Sequence, residues 1–222
     1  MMNMEDIELK LLAGMPIEIP DCGHIYMPTI REIIQLGESK YNEYLSLLLI
    51  DRLNLTEDLG EQFSNFDIVF SNCYNSHEFK TQFLDAVNFI FKKKALMCDV
   101  MSSSEAFFYF EDGLIDRHNF NSIQEIIRIG NCISKTVREE YNFANDQAKK
   151  FMDDVNSFRN SFAYKKKDEM TIHSMLNGMA WKAENINILN IFELTMYQFR
   201  LGFIALNIIG NYQYTQNCIS SG

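Results

Sequence analysis

Apolar positions in this chain fall mostly at helical spacing, and one helical pattern occurs twice. Near the start the chain reads Thr29-Ile30-Arg31-Glu32-Ile33-Ile34-Gln35-Leu36-Gly37. Later it reads Ser122-Ile123-Gln124-Glu125-Ile126-Ile127-Arg128-Ile129-Gly130. Each copy opens with a hydroxyl residue and carries Glu three positions on. That is the capping-box signature, in which the hydroxyl accepts from a first-turn N–H and the Glu reaches back to the cap's own N–H. Apolar residues at i, i+3 and i+4 then make a buried stripe. The closing Gly lies on that stripe. It can end the helix as a left-handed cap, or it can let another backbone approach a helix that continues. Phase favours continuation. Tyr44, Leu45 and Leu48 extend the stripe of Ile30, Ile33 and Ile34, and Val137, Tyr141 and Ala144 extend that of Ile123, Ile126 and Ile127.

A hairpin pattern precedes each copy. Pro16-Ile17-Glu18-Ile19 and His24-Ile25-Tyr26-Met27 flank the turn Pro20-Asp21-Cys22-Gly23. Residues 106–110 and Leu114-Ile115 flank Glu111-Asp112-Gly113, and Asp-Gly between apolar runs is a strong hairpin signal. The chain is therefore expected to be a single domain over 1–222 with an internal duplication. The fold class is α+β, predominantly helical. Two β-hairpin-plus-helix repeats lie at about 14–50 and 105–164, with a long helix in the second and a C-terminal helical segment at 171–210. Two units are too few for an open solenoid, which needs about three, so they are expected to pack on each other.

The remaining segments read as follows. Residues 5–13 make a short helix with Ile7, Leu11 and Leu12 on one side and Gly14 as its stop. Phe63 and Phe66 are apolar anchors, Asp67 to Phe70 a short strand, and residues 71–76 a loop. Ser76 caps a helix whose Phe79, Phe83, Val87, Ile90 and Phe91 face the core, with Lys92-Lys93-Lys94 at its C-terminus, where cations are favoured. Residues 95–101 are a strand. In the second repeat Val137, Tyr141, Ala144, Ala148, Phe151, Val155, Phe158 and Phe162 alternate in steps of four and three, a heptad seam. A helix from Ile123 to about Tyr164 would be on the order of 60 Å long. Its seam packs within the chain or grips a partner, and Val137, Tyr141, Phe151, Val155, Phe158 and Phe162 are the candidate partner-binding residues. Thr171 caps a helix through Met175, Met179 and Trp181, all packing types. A bend at 185–188 follows. Asn190 with Glu193 opens the last helix, and the tail after Gly210 frays.

Composition narrows the function. Of 222 residues 47% are hydrophobic, enough for a core, and only 3 are Pro. The net charge of -10 repels phosphates, so no nucleic-acid partner is expected. No apolar run reaches about 18 residues, and no membrane partner is expected. The N-terminal residues lack the order of a signal peptide. Five scattered cysteines without CxxC suggest neither a disulfide framework nor a zinc module, and fit reduced thiols in a cytosolic protein.

Candidate chemistry is sparse. There is no phosphate-binding Gly loop, no HExxH and no GxSxG. Asp116 and His118 are near neighbours that a Cys or Ser nucleophile could join, and Cys22 with His24 supplies two metal-ligand types where a site needs more. No catalytic residue, metal site or cofactor is assigned, and the chain is expected not to be an enzyme.

Three blocks carry a family resemblance: Met27 to Tyr41, Asn119-Phe120 to Asn131, and Asn187-Ile188-Leu189-Asn190-Ile191-Phe192-Glu193-Leu194-Thr195-Met196-Tyr197-Gln198-Phe199. They resemble small proteins encoded in the tail gene region of tailed phages and prophages of low-GC Gram-positive bacteria, where tail assembly chaperones lie. The resemblance covers about a third of the chain, and its motifs are structural, so it transfers no functional residues. Such relatives continue in a polar segment, whereas Gly202 to Ile209 here is apolar. The resemblance implies a tail assembly chaperone or morphogenesis factor in the host cytoplasm that holds another phage protein, such as a tape measure or tail tube, with homo-oligomers allowed. The alternatives are a permanent virion component (a connector or baseplate part) and a counter-defence binder or small intracellular enzyme.

Overall fold

The computed structural model of the protein describes residues 3–52, 63–98, 106–133 and 171–220. Helix α1 (Met4–Leu12) buries Ile7 and Leu11 and leaves Leu12 exposed. Gly14, at φ 71°, turns the chain out of it. Strand β1 (Ile17–Ile19) pairs antiparallel with β2 (Gly23–Ile25), Ile17 opposite Ile25 and Ile19 opposite Gly23. Asp21 at φ 59° and Gly23 at φ 106° shape the turn between them.

Helix α2 (Ile30–Leu36) starts in the capping box that its sequence announces. The Thr29 N–H donates to Glu32 Oε2 at 2.9 Å, and the Glu32 N–H donates to Thr29 Oγ1 at 3.2 Å. Burial alone would raise the Glu32 carboxyl. The Lys92 ammonium and the Thr29 N–H outweigh it and hold the group below its ordinary value. Gly37 departs from the expected continuation. At φ 99° and ψ 131° it ends α2, and α3 (Glu38–Leu48) begins at the next residue. Ile30 and Ile33 of α2 face the core, whereas Ile34, placed on the same stripe by its spacing, is 53% exposed. Tyr41, Tyr44, Leu45 and Leu48 of α3 are all buried.

The strand expected at 67–70 is instead part of α4 (Asn65–Asn75). A second capping box, Ser64 with Asp67, starts this helix and outweighs the β-propensity of Ile68, Val69 and Phe70. It also absorbs most of the expected 71–76 loop. Ser76 caps α5 (His77–Phe91), whose Phe83, Val87, Ile90 and Phe91 are buried as expected. Strand β3 (Leu96–Met97) pairs with β4 (Phe108–Phe110), and β4 pairs with β5 (Gly113–Ile115) around the turn Glu111-Asp112. Phe66, Phe83, Phe108 and Phe120 meet at ring separations of 5.0 to 6.4 Å and join α4, α5, β4 and the helix that follows at the centre of the core.

That helix is α6 (Phe120–Gly130). Ser122 and Glu125 do not open it. Its first turn is set by Asp116 and Asn119: the Asp116 N–H donates to Asn119 Oδ1 at 3.0 Å, and the Asn119 N–H donates to Asp116 Oδ1 at 3.1 Å. The reciprocal pair starts the helix one turn earlier than the repeat pattern places it. Nor does the helix run on from Gly130. Asn131 leaves helical geometry and Cys132 sits at φ 51°, so the single long rod expected from Ile123 is not present. At Gly130 a side chain stands where an approaching backbone was expected: the Met27 sulfur occupies the space of a Cβ. The seam residues Val137, Tyr141, Phe151, Val155, Phe158 and Phe162 lie outside the described residues, as do the remainder of the second unit's expected span and the chain between the units at 99–105.

Helix α7 (Ile172–Lys182) has the Thr171 cap expected of it, and Ile172, Leu176 and Met179 are buried. Trp181, expected to pack, is 89% exposed. Asn190 and Glu193 open only a 3-10 turn over Ile191–Glu193. Asn190 spends its amide on local bonds, accepting from the Asn187 N–H and donating to the Asn185 carbonyl. The last helix, α8 (Met196–Ser220), starts at Thr195 and Gln198 in a box that mirrors Thr29 and Glu32. The two caps are joined by an antiparallel bridge: the Ile30 N–H donates to the Leu194 carbonyl and the Met196 N–H to the Pro28 carbonyl, both at 2.9 Å. Helix α8 continues through Gly210, where fraying was expected.

The fold is thus α+β and predominantly helical, with two small antiparallel sheets among the described residues. Both copies of the nonapeptide are helical and both follow a ribbon. Three polar ties join the segment from Asp21 to Ile50 to the segment from Leu114 to Asn131. Gln124 Nε2 donates to the Leu48 and Ile50 carbonyls at 2.9 and 2.8 Å, closing the C-terminus of α3. The Tyr41 hydroxyl donates to Asn131 Oδ1 at 2.6 Å, and the Leu114 N–H donates to the Asp21 carbonyl at 2.9 Å. Gln124 and Asn131 are buried with every amide atom partnered, so the ties add specificity without an orphaned polar group.

Candidate functional site

The last of those ties shapes a cleft. The first ribbon's turn is drawn against β5 so closely that a Cβ on Gly113 would lie 2.6 Å from the Cys22 carbonyl oxygen. Lys93 adds to the junction by holding the Asp112 carboxylate at 2.6 and 2.7 Å. Beside it lies an open cleft of about 760 Å³, with walls from α1, the β1–β2 turn, β5 and α6. Its floor is apolar: Ile7, Ile19 and Ile126 are buried there, and Leu114 is partly exposed at its edge. Its polar groups are Asp21, Asp116, His118, Asn119, Ser122 and Glu125. Both repeats contribute, so neither unit alone contains the cleft.

Asp116 and His118, paired in the sequence by proximity, do line this cleft. Their geometry is that of a turn. Asp116 Oδ1 accepts from the His118 and Asn119 N–H groups at 2.8 and 3.1 Å, and the His118 side chain is exposed. Cys22 lies close enough to Asp116 to feel its charge, but the thiol is fully buried. Burial first, and the Asp116 carboxylate second, push it up to about 12. A thiol there is protonated at neutral pH and is a poor nucleophile. Cys22 and His24 do not come together as ligands, one being buried and the other exposed. Among the described residues no three of His, Cys, Asp and Glu converge where a metal ion could sit. What the cleft offers is an apolar floor beneath carboxylates, which suits an extended segment carrying apolar side chains and a cation.

A second feature lies at the other end of the chain. Beyond Arg200 helix α8 has no charged residue, and Ile204, Ile208, Ile209, Tyr212 and Tyr214 are 45 to 72% exposed. Its opposite side packs inward: a Cβ on Gly202 would meet Met179 Cε at 3.1 Å.

Residues 165–222 match the family model described as YomV second domain. The described part of that match is α7, the 3-10 turn and α8. The family is of Bacillus phage type, and the match fits a phage or prophage protein of low-GC Gram-positive bacteria. No curated protein and no solved structure matches the chain.

The residues named for partner binding from the sequence lie outside the described residues, and the cleft is lined by others. Asp21, Glu125 and Ile126 were invisible as a set because they come from a turn and a helix far apart in the chain. The α8 strip was readable from the spacing of Ile204, Ile208 and Tyr212. Apolar helical spacing also describes core, so spacing alone does not mark the strip as surface.

Proposed function

We propose that this chain is a non-enzymatic phage protein that holds another phage protein, and that the cleft between its two ribbons is where the partner's segment lies. The supporting observation is the cleft itself: about 760 Å³, floored by Ile7, Ile19 and Ile126 and bordered by Asp21, Asp116 and Glu125. A segment with alternating apolar and basic residues gains burial on the floor and charge complementarity at the border. The acidic field of the whole chain, at -10, steers such a segment in. Within phage biology the reading that fits best is a tail assembly chaperone or morphogenesis factor in the host cytoplasm, with a tape measure or tail tube protein as its cargo. The family match supports the phage origin of the C-terminal part and leaves the partner to experiment.

The test is capture from induced or infected cells with tagged wild type and with the cleft variant Ser122→Arg, Leu114→Glu, followed by mass spectrometry of partners and of purified virions. Both positions are exposed, so the variant is expected to fold, and circular dichroism checks this. A chaperone captures a tail protein, loses it in the variant, and is missing from virions. Capture that persists in the folded variant rejects the cleft. Presence in purified particles points to the virion component instead. Replacing Phe151, Val155 and Phe158 by Ala in the same assay decides the proposal that the heptad seam contributes to the grip.

A further inference from the structure

The exposed strip of α8 is not used by the cleft and lies on a different part of the molecule. Its geometry is regular. At 100° per residue, Leu201, Ile204, Ile208, Asn211 and Thr215 fall within one narrow stripe, with Tyr212 at its border. Phe199, Gly202, Leu206 and Gly210 fall on the opposite side. Gly202 and Gly210 there face Met179 and Lys182 of α7. The stripe has the four-and-three spacing of a coiled-coil seam; its first member, Leu201, is half-buried against the core, and its exposed part runs from Ile204 to Thr215. Ile208 is 63% and Tyr212 63% exposed, more than an isolated surface residue requires.

We propose that this strip pairs with the same strip of a second copy, as a parallel, in-register, two-stranded helix pair. Three observations select a second copy over another partner. The chain carries a net charge of -10, so two copies repel except where a surface lacks charge, and no residue from Leu201 to Gly222 is charged. A basic partner would be drawn to the acidic remainder of the protein and would gain nothing here. The seam also contains Asn211. In a parallel in-register pair the two Asn211 amides face and satisfy each other, whereas a wholly apolar helix would leave the amide unpaired. Finally, Ile204, Ile208 and Tyr212 stand 45 to 63% exposed along one run of the helix, an apolar surface that the identical strip of a second copy would cover. An isologous pairing of this kind closes on itself and stops at two.

The experiment is light scattering and sedimentation equilibrium on the full chain between about 1 and 300 µM. Wild type is expected to move from 25.9 kDa to twice that mass across the range. Ile208→Lys is expected to stay monomeric throughout. Asn211→Asp sets two carboxylates face to face and is expected to weaken the pair at least tenfold, with the weakening relieved by salt or at low pH. Both variants lie on an exposed face, and unchanged circular dichroism confirms their fold. A wild type that stays at 25.9 kDa up to 300 µM overturns the proposal, as does an Ile208→Lys chain that still dimerises. Asn211→Asp dimerising as tightly as wild type overturns the parallel register. None of these outcomes bears on the cleft, which is tested by capture.

Discussion

Replacing Gly113 by Ala tests how tightly the two ribbons are docked. Gly113 opens β5, and its backbone is not in the left-handed region, so Ala is conformationally acceptable there. The problem is space. A Cβ would lie 2.6 Å from the Cys22 carbonyl oxygen, 2.8 Å from its carbon and 3.1 Å from its Cα, all backbone atoms. Ordinary contact begins near 3.4 Å, so the ribbons must separate by about 0.8 Å, too far for a rotamer change to absorb. That displacement strains the 2.9 Å bond from the Leu114 N–H to the Asp21 carbonyl. Losing it costs about 1 kcal/mol, and overpacking costs about 1–3 kcal/mol more. The reduced entropy of the unfolded chain returns up to about 1 kcal/mol. The net expectation is a loss of about 1–3 kcal/mol, read as a lower urea midpoint at unchanged slope. Gly178→Ala is the matched control. Gly178 lies inside α7 with nothing within 4 Å of the added carbon, so helix propensity should make that variant more stable by about 0.5–1 kcal/mol. If Gly113→Ala is as stable as wild type while Gly178→Ala behaves as expected, the ribbons do not dock as described.

Other consequences are open to measurement. Gly130→Ala should destabilise by about 1–3 kcal/mol, because Met27 is buried and its sulfur occupies the space of the new carbon; Met27→Ala in the same chain should recover part of that loss, a coupling that a double-mutant cycle reads. Burial would raise the Asp67 carboxyl, but bonds from Ser64 and Arg117 outweigh it and hold the group below its ordinary value. Its contribution to stability is therefore full above about pH 4 and is lost as pH falls through the lower folded value. Asp67→Asn should cost about 1–2 kcal/mol at pH 7, and the gap from wild type should close in acid titrations of stability. Cys22 and Cys73 are buried, and burial pushes both thiols up to about 12. In the native chain at pH 8 neither should react with a thiol reagent on a timescale of minutes, while both react in urea.

The ribbon and helix elements were legible in the sequence because their signals are local. A hydroxyl with a Glu three residues on, apolar spacing and an Asp-Gly turn each act within a few residues, and α2, both ribbons and α5 form where these signals place them. What misled was pattern shared between structures. The apolar stripe of Ile30 to Leu48 looked continuous, yet Gly37 breaks it into two short helices, and Ile34 on that stripe is exposed. Ser122 and Glu125 spell a capping box that the Asp116–Asn119 turn pre-empts. Ile68-Val69-Phe70 favours a strand until Ser64 and Asp67 nucleate a helix. The cleft was beyond reach for a different reason. Its floor and border come from residues that only docking brings together, and the docking rests on long-range ties from Gln124, Tyr41 and Leu114 that have no period in the sequence.

The central claim is that the junction of the two repeats grips another phage protein. A photo-crosslinking amino acid at Ser122, on the border of the cleft, addresses it directly, with the same residue at Asn75 on the end of α4 as the reference. Irradiation of induced cells should attach the Ser122 probe to one discrete phage protein and leave the Asn75 probe unattached to it. Equal labelling of that protein from both positions, or labelling from neither in cells that assemble particles, would contradict the claim.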